Sequence, residues 1–351
     1  MNEQFSKRLK TARLMRGLSM DDLVARMEGC VSKQAISKYE TGKMLPASDT
    51  LLRLAEALRL PVDYFFREGI EMGPISFRRD YRLPEQSTRQ LECIAQEKLE
   101  RYLTVENLLA LHRPFVNPLR TLRIDGYEAV EQAANTLRRK WMLGIQPIAS
   151  IYGMLEHYGV KVIEISVDTA DVLGFSTMVS PAIPLIVINL TANTTVERKR
   201  FTALHELAHL LLRFAEGIPS AMQERYCHRF AGAVLCPQTS FLEELGQRRT
   251  ALTLDELIHI RERYGISIAA TVHRAKDLGI ITDAYYNKVY DERIHANKLE
   301  EGWGRYAIPE QTDRFERLPQ RAVAEQVISM SRAAELANQR LGEYRERLKK
   351  A

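Results

Sequence analysis

The sequence predicts a mainly α fold with a small β-sheet (α+β), and three observations predict it. The first 66 residues break into short helical periods separated by turn residues. Only two stretches, VKVIEISV (160–167) and PLIVINL (184–190), have the alternation or branched apolar run of strands. From residue 196 onward helical periods dominate to the end of the chain.

In the first segment Phe5, Leu9, Ala12 and Leu14 set a helical period that Gly17 ends. Ser19 caps MDDLVARM, Gly29 breaks it, and Ser32 caps SKQAISKYE. Gly42 and Pro46 mark a turn, Ser48 or Asp49 opens TLLRLAEALRL, and Pro61 opens VDYFF. Residues 67–84, with two Gly and two Pro, are expected to be a linker. Helices are then expected at about 85–111, at 127–143, and over IASIYGMLEHYG behind Pro147. After the strands come 196–214, 221–236, 253–264 and 267–278, and one long helix from about Arg321 to Lys350.

With 351 residues the chain is long enough for two or three domains, each burying its own core. The formal net charge of +5 favours an anionic partner without deciding one. No apolar run approaches the roughly 18 residues of a membrane span, and the start has no apolar signal region. The four cysteines, Cys30, Cys93, Cys227 and Cys236, form no C-x-x-C pair, as expected of free thiols in a reducing cytoplasm.

The order helix, turn, helix near the N-terminus puts Ser32, Lys33 and Gln34 at the start of a third helix. In a helix-turn-helix that helix enters the major groove and its first residues reach base edges. Gln pairs bidentately with adenine and Lys donates to guanine. Lys33, Gln34, Ser37 and Lys38 fall on the polar side, Ile36 and Tyr39 on the buried side. Met1 to Lys43 holds nine Lys/Arg and five Asp/Glu, so most of the chain's net charge sits here, as phosphate contacts require. The competing reading is a small helical bundle with a solvated basic face.

LSMDDLVARMEGCVSKQAISKYETGKMLPASDTLLRLAEALRLPVDYFF resembles the Xre (phage Cro/repressor-like) helix-turn-helix family along its whole length. The resemblance implies dimeric binding to palindromic operator DNA and a structural pair between Arg13 and Glu40.

The stretch FTALHELAHLLL (201–212) poses a metal question. On a helix, residues four apart share a face, so His205 and His209 can turn two imidazoles to one ion. Glu206 sits about 100° round, placed for a zinc-activated water. That is the logic of H-E-x-x-H: two ligands and one general base. A core helix is the rival reading, yet this composition yields the motif by chance in only about one chain in a hundred. Two His and a Glu among leucines also need partners to be buried. A catalytic zinc takes a third protein ligand. Glu224 and His228, four apart on the next helix, are equal candidates by chemistry, with Cys227 and Cys236 as soft alternatives.

VERKRFTALHELAHLLL, followed by E-x-x-x-x-x-F-A-x-x-x-L-x-P, resembles the ImmA/IrrE family of zinc metallopeptidases over roughly 130–282. The resemblance implies a zincin-like fold, a Zn2+ cofactor and Glu224 as third ligand. Where the family often has Ala-Asn, this chain has Cys227-His228, so His228 stays open as a group orienting a ligand, facing substrate, or competing for the metal. PLIVINL is either a core strand or an edge strand able to hold an extended peptide. His259 and His273 are expected at the surface.

The domains expected are 1–68 (helix-turn-helix), 69–126 (linker and helical connector), 127–290 (zinc metallopeptidase) and 291–351 (a C-terminal helical segment suited to dimerisation). Fusions of this kind imply a cytoplasmic regulator on operator DNA whose peptidase cleaves an Xre-type repressor, or the chain itself, and so relieves repression. The rival function is a DNA-binding regulator, antitoxin-like, whose second domain senses or binds without cleaving.

Overall fold

The computed structural model describes residues 2–67, 69, 70, 85–167, 172–179 and 182–350. Most of the expected linker, 71–84, lies outside them. Mainly helical structure with one three-stranded sheet is what the residues form. The chain divides into two compact units, each with its own core.

The first unit contains α1 (Asn2–Met15), α2 (Met20–Arg26), α3 (Lys33–Glu40), α4 (Ser48–Leu58), a 3-10 turn (Val62–Phe66) and α5 (Glu85–Leu108). Local chemistry sets these boundaries. Ser19 and Asp22 close a reciprocal capping box on α2, and the Ser32 hydroxyl accepts from Ala35 N at the start of α3. Arg59 ends α4 in the left-handed region at φ 52°. Phe5, Leu9, Leu23, Ile36, Leu54, Leu58 and Phe65 make the core. Helix α5 packs along α1, and an ion pair of 2.5 Å joins Arg8 to Glu100.

The single C-terminal helix expected over 321–350 is instead three: α14 (Asp313–Ala324), α15 (Met330–Leu336) and α16 (Leu341–Lys350). Gln326 and Asn338 take positive φ of 59° and 53°, and Ser329 caps a fresh helix between them. The helix-favouring composition hides these breaks, because residues that punctuate by conformation alone leave no Gly or Pro behind. The division between the units falls at Pro319 within α14, so α15 and α16 group with the first unit. The stretch 69–126 is likewise shared, α5 with the first unit and 112–126 with the second.

The second unit holds α6 (Tyr127–Lys140), α7 (Ile151–His157), β1 (Lys161–Ile165), β2 (Gly174–Val179) and β3 (Ile183–Asn189). There follow α8 (Val196–Leu211), α9 (Ser220–Leu235), α10 (Gln238–Leu245), α11 (Leu254–Tyr264), α12 (Ile268–Asp277) and α13 (Asp283–Val289). The strand order is β1-β3-β2, with β1 parallel and β2 antiparallel to β3. PLIVINL is therefore the central strand, buried at Leu185 through Ile188, and its reading as an edge is corrected. Paired on both sides, it is apolar on both faces, as a continuous run of branched residues should be. The outer strand lying against α8 is β2. Gly174 permits that approach: a Cβ there would stand 2.7 Å from Val187 O and 2.9 Å from Thr202 Cγ2.

Candidate metal centre and DNA-reading helix

Helix α8 is buried nearly all round, so its polar groups need fixed partners. Thr195 caps it. One turn in, the fully buried Arg200 pairs with Glu310 at 2.8 Å, donates to the carbonyls of Ile148 and Gly265, and stacks over Tyr306. Glu197 accepts from Arg261 at 2.8 Å and from Tyr306 N at 3.0 Å. Burial alone pulls the Glu197 carboxyl up. The Arg261 and backbone hydrogen bonds outweigh that and hold it below the usual range. These contacts set the rotation of the helix, while Leu204, Leu207, Ala208 and Leu211 bind it into the core.

That rotation turns His205 and His209 toward α9. Their Nε2 atoms lie 3.1 Å apart. Glu224, in the second turn of α9, presents Oε2 at 3.2 Å from His205 Nε2 and Oε1 at 3.4 Å from His209 Nε2. Ligand atoms around a tetrahedral zinc, at bonds of about 2.0–2.1 Å, stand about 3.3 Å apart. Two imidazoles and a carboxylate at this spacing fit such an ion. For Glu224, burial pushes the carboxyl up, but hydrogen bonds and charge from His205 and His209 bring it well below the ordinary carboxylate range.

The other candidates sit differently. Cys227 Sγ lies 3.7 Å from His209 Nδ1, on the far side of the ring from Glu224. Cys236 ends α9 wholly buried, and burial raises its thiol to about 12. The His228 ring tilts against His205 with centroids 4.4 Å apart, one turn beyond Glu224. His259 and His273 are exposed and pair with Glu244 and Asp277.

Glu206, only 3% exposed, points to the sheet side, where Ser176 Oγ of β2 donates to its Oε2 at 2.9 Å. No sequence signal marks Ser176. GFSTMV carries no alternation that would identify it as a strand, so nothing in sequence places that hydroxyl opposite α8.

In the first unit, Ile36 and Tyr39 are buried, and Lys33, Gln34 and Lys38 are exposed with Ser37 partly so. Lys33 Nζ pairs with Asp21 at 2.6 Å on the open surface, and the Ser32 hydroxyl serves as the cap of α3. Arg13 meets Glu40 through two bonds of 2.6 and 2.7 Å and donates a third to Leu18 O.

Two protein families match parts of the chain. Residues 9–65 match the helix-turn-helix family model, and residues 155–276 match that of the IrrE N-terminal-like domain. The chain thus joins a helix-turn-helix of the DNA-binding kind to a metallopeptidase-like domain. No curated protein matches the chain. Among the described residues no helix is long and apolar enough to cross a membrane.

Proposed function

We propose that the chain is a DNA-binding transcriptional regulator with a zinc-dependent endopeptidase domain, which cleaves an Xre-type repressor, or a second copy of itself, to relieve repression. One observation carries this reading: ligand atoms of His205, His209 and Glu224 within 4.8 Å of one another, with Glu206 next to His205 in the chain, in a protein whose N-terminal part is a helix-turn-helix. Zinc held by the three side chains would supply Lewis-acid polarisation of a scissile carbonyl. Glu206 is the general base. Ser176 donates to its Oε2 and so orients the carboxylate, which takes a proton from the attacking water and returns it to the leaving amine nitrogen. Strand β2, at the sheet's margin against α8, is the element suited to hold an extended peptide by strand addition. Lys33, Gln34, Ser37 and Lys38 read operator bases as a dimer. Ser32 caps the reading helix.

Burial favours a second reading. His205 and Glu206 are 2% and 3% exposed, as in a domain that senses or binds a partner with its site closed. Incubating zinc-loaded protein and Glu206→Gln with candidate Xre-type repressors, and with the chain itself, separates the two. Cleavage by wild type alone supports the peptidase. Intact substrates throughout, with zinc bound, support the sensor.

A further inference from the structure

The second unit carries a cleft of about 570 Å³ that has no part in the metal centre. One wall is the segment before α6, with Arg113, Asn117 and Arg120. The other is formed by the ends of α6 and α7, with Lys140, Trp141, His157 and Tyr158. Among the described residues no acidic side chain lines it. Arg113, Arg120, Lys140 and His157 are all exposed, and among the described residues none of the three cations pairs with a carboxylate. Arginines without a carboxylate partner also occur elsewhere in the unit among the described residues, Arg138 and Arg213 among them; what sets these three cations apart is that they line one cleft.

Capping accounts for part of this charge. Arg113 Nη1 donates at 2.9 Å to His157 O, the last carbonyl of α7, and Lys140 Nζ donates at 2.8 Å to Pro118 O in the loop before α6. Each cation keeps further N–H donors, and the Arg120 side chain makes no hydrogen bond among the described residues. Arg113 Nη1 also lies 3.1 Å from His157 Nδ1. A guanidinium only donates, so Nδ1 accepts and the ring's proton sits on Nε2, a fourth donor at the cleft.

The stacked rings of Trp141 and Tyr158, 4.4 Å apart and 5° from parallel, floor the site rigidly. Asn117 bonds Leu211 O at 3.0 Å and Arg213 bonds Arg120 O at 3.0 Å, so the basic wall is braced against the end of α8.

We infer that this cleft binds a small polyphosphate anion, of the class of inorganic pyrophosphate or a nucleoside di- or triphosphate. Three unpaired cations call for a multiply charged anion. Guanidinium forks match phosphoryl oxygens bidentately. The volume is that of a small-ligand pocket, whereas a duplex would need a linear track of cations.

The test is calorimetric titration of the full-length protein with inorganic pyrophosphate and separately with a nucleoside triphosphate, at about 0.15 M salt. The variants are Arg120→Glu, which removes no hydrogen bond of the fold, and Arg113→Ala. One site per chain with Kd below about 1 mM, weakened at least about tenfold in Arg120→Glu at unchanged melting temperature, is the expected result. Binding to the triphosphate but not to pyrophosphate, with the same loss, assigns the site to nucleotides. No saturation by either ligand up to about 10 mM overturns the proposal. So does wild-type affinity in both variants, which would locate binding elsewhere, the metal centre included. An Arg120→Glu effect confined to random-sequence duplex DNA would make the face a nucleic-acid contact and equally overturn it.

Discussion

Ser176 Oγ donates to Glu206 Oε2 across 2.9 Å, joining the outer strand of the sheet to the helix that carries both imidazoles. A hydroxyl bonded to a carboxylate favours its charged form. Ser176→Ala should therefore lower kcat about tenfold or more and move the acid limb of the kcat/KM profile to higher pH, with zinc content unchanged. Ser176→Thr should restore both. A profile identical to wild type in Ser176→Ala would remove Ser176 from any role in positioning the base.

Arg13 and Glu40 are 8% and 2% exposed in their side chains, so neither tolerates losing the other. Arg13→Ala leaves a buried carboxylate facing no cation and should cost about 3–5 kcal/mol. The joint replacement Arg13→Met with Glu40→Leu should cost far less, because it removes both charges together. Urea unfolding of the three proteins measures this, and equal losses for the single and double variants would show that the pair is not what holds α1 to α3.

Lys33→Ala with Gln34→Ala should abolish specific operator binding without unfolding the protein, since both side chains are exposed. The surface pair of Lys33 with Asp21 contributes about 0–1 kcal/mol, too little to matter for folding. Footprinting on an operator at fixed salt is the measurement. Unchanged specificity would move the reading surface off α3.

The clustering of His205 and His209 was legible in sequence because it is local: His205, Glu206 and His209 acquire their relative positions from helical period alone. The choice between Glu224 and His228 was not, since both lie on the same face of α9. The packing of α9 against α8 is what puts Glu224 between the two imidazoles and sets His228 against the flank of His205. Nor was Ser176 legible, because β2 has neither alternation nor an apolar run. Its strand character comes from pairing with β3, a tertiary effect. The same holds for Glu310, which lies in an aperiodic stretch yet anchors both Arg200 and the start of α7 through Ile151 N at 2.9 Å. The C-terminal breaks at Gln326 and Asn338 escaped because the residues that turn the chain there are neither Gly nor Pro, the usual signs of a helix end.

The central claim is a zinc centre built from His205, His209 and Glu224, and absorption at the zinc edge of the purified protein tests it most directly. The account predicts one zinc per chain with nitrogen and oxygen neighbours at about 2.0–2.2 Å and none at the longer sulfur distance of about 2.3 Å, and Glu224→Ala should lose most of the metal. A sulfur neighbour, which would bring Cys227 to the ion, or full zinc occupancy in Glu224→Ala, would contradict it.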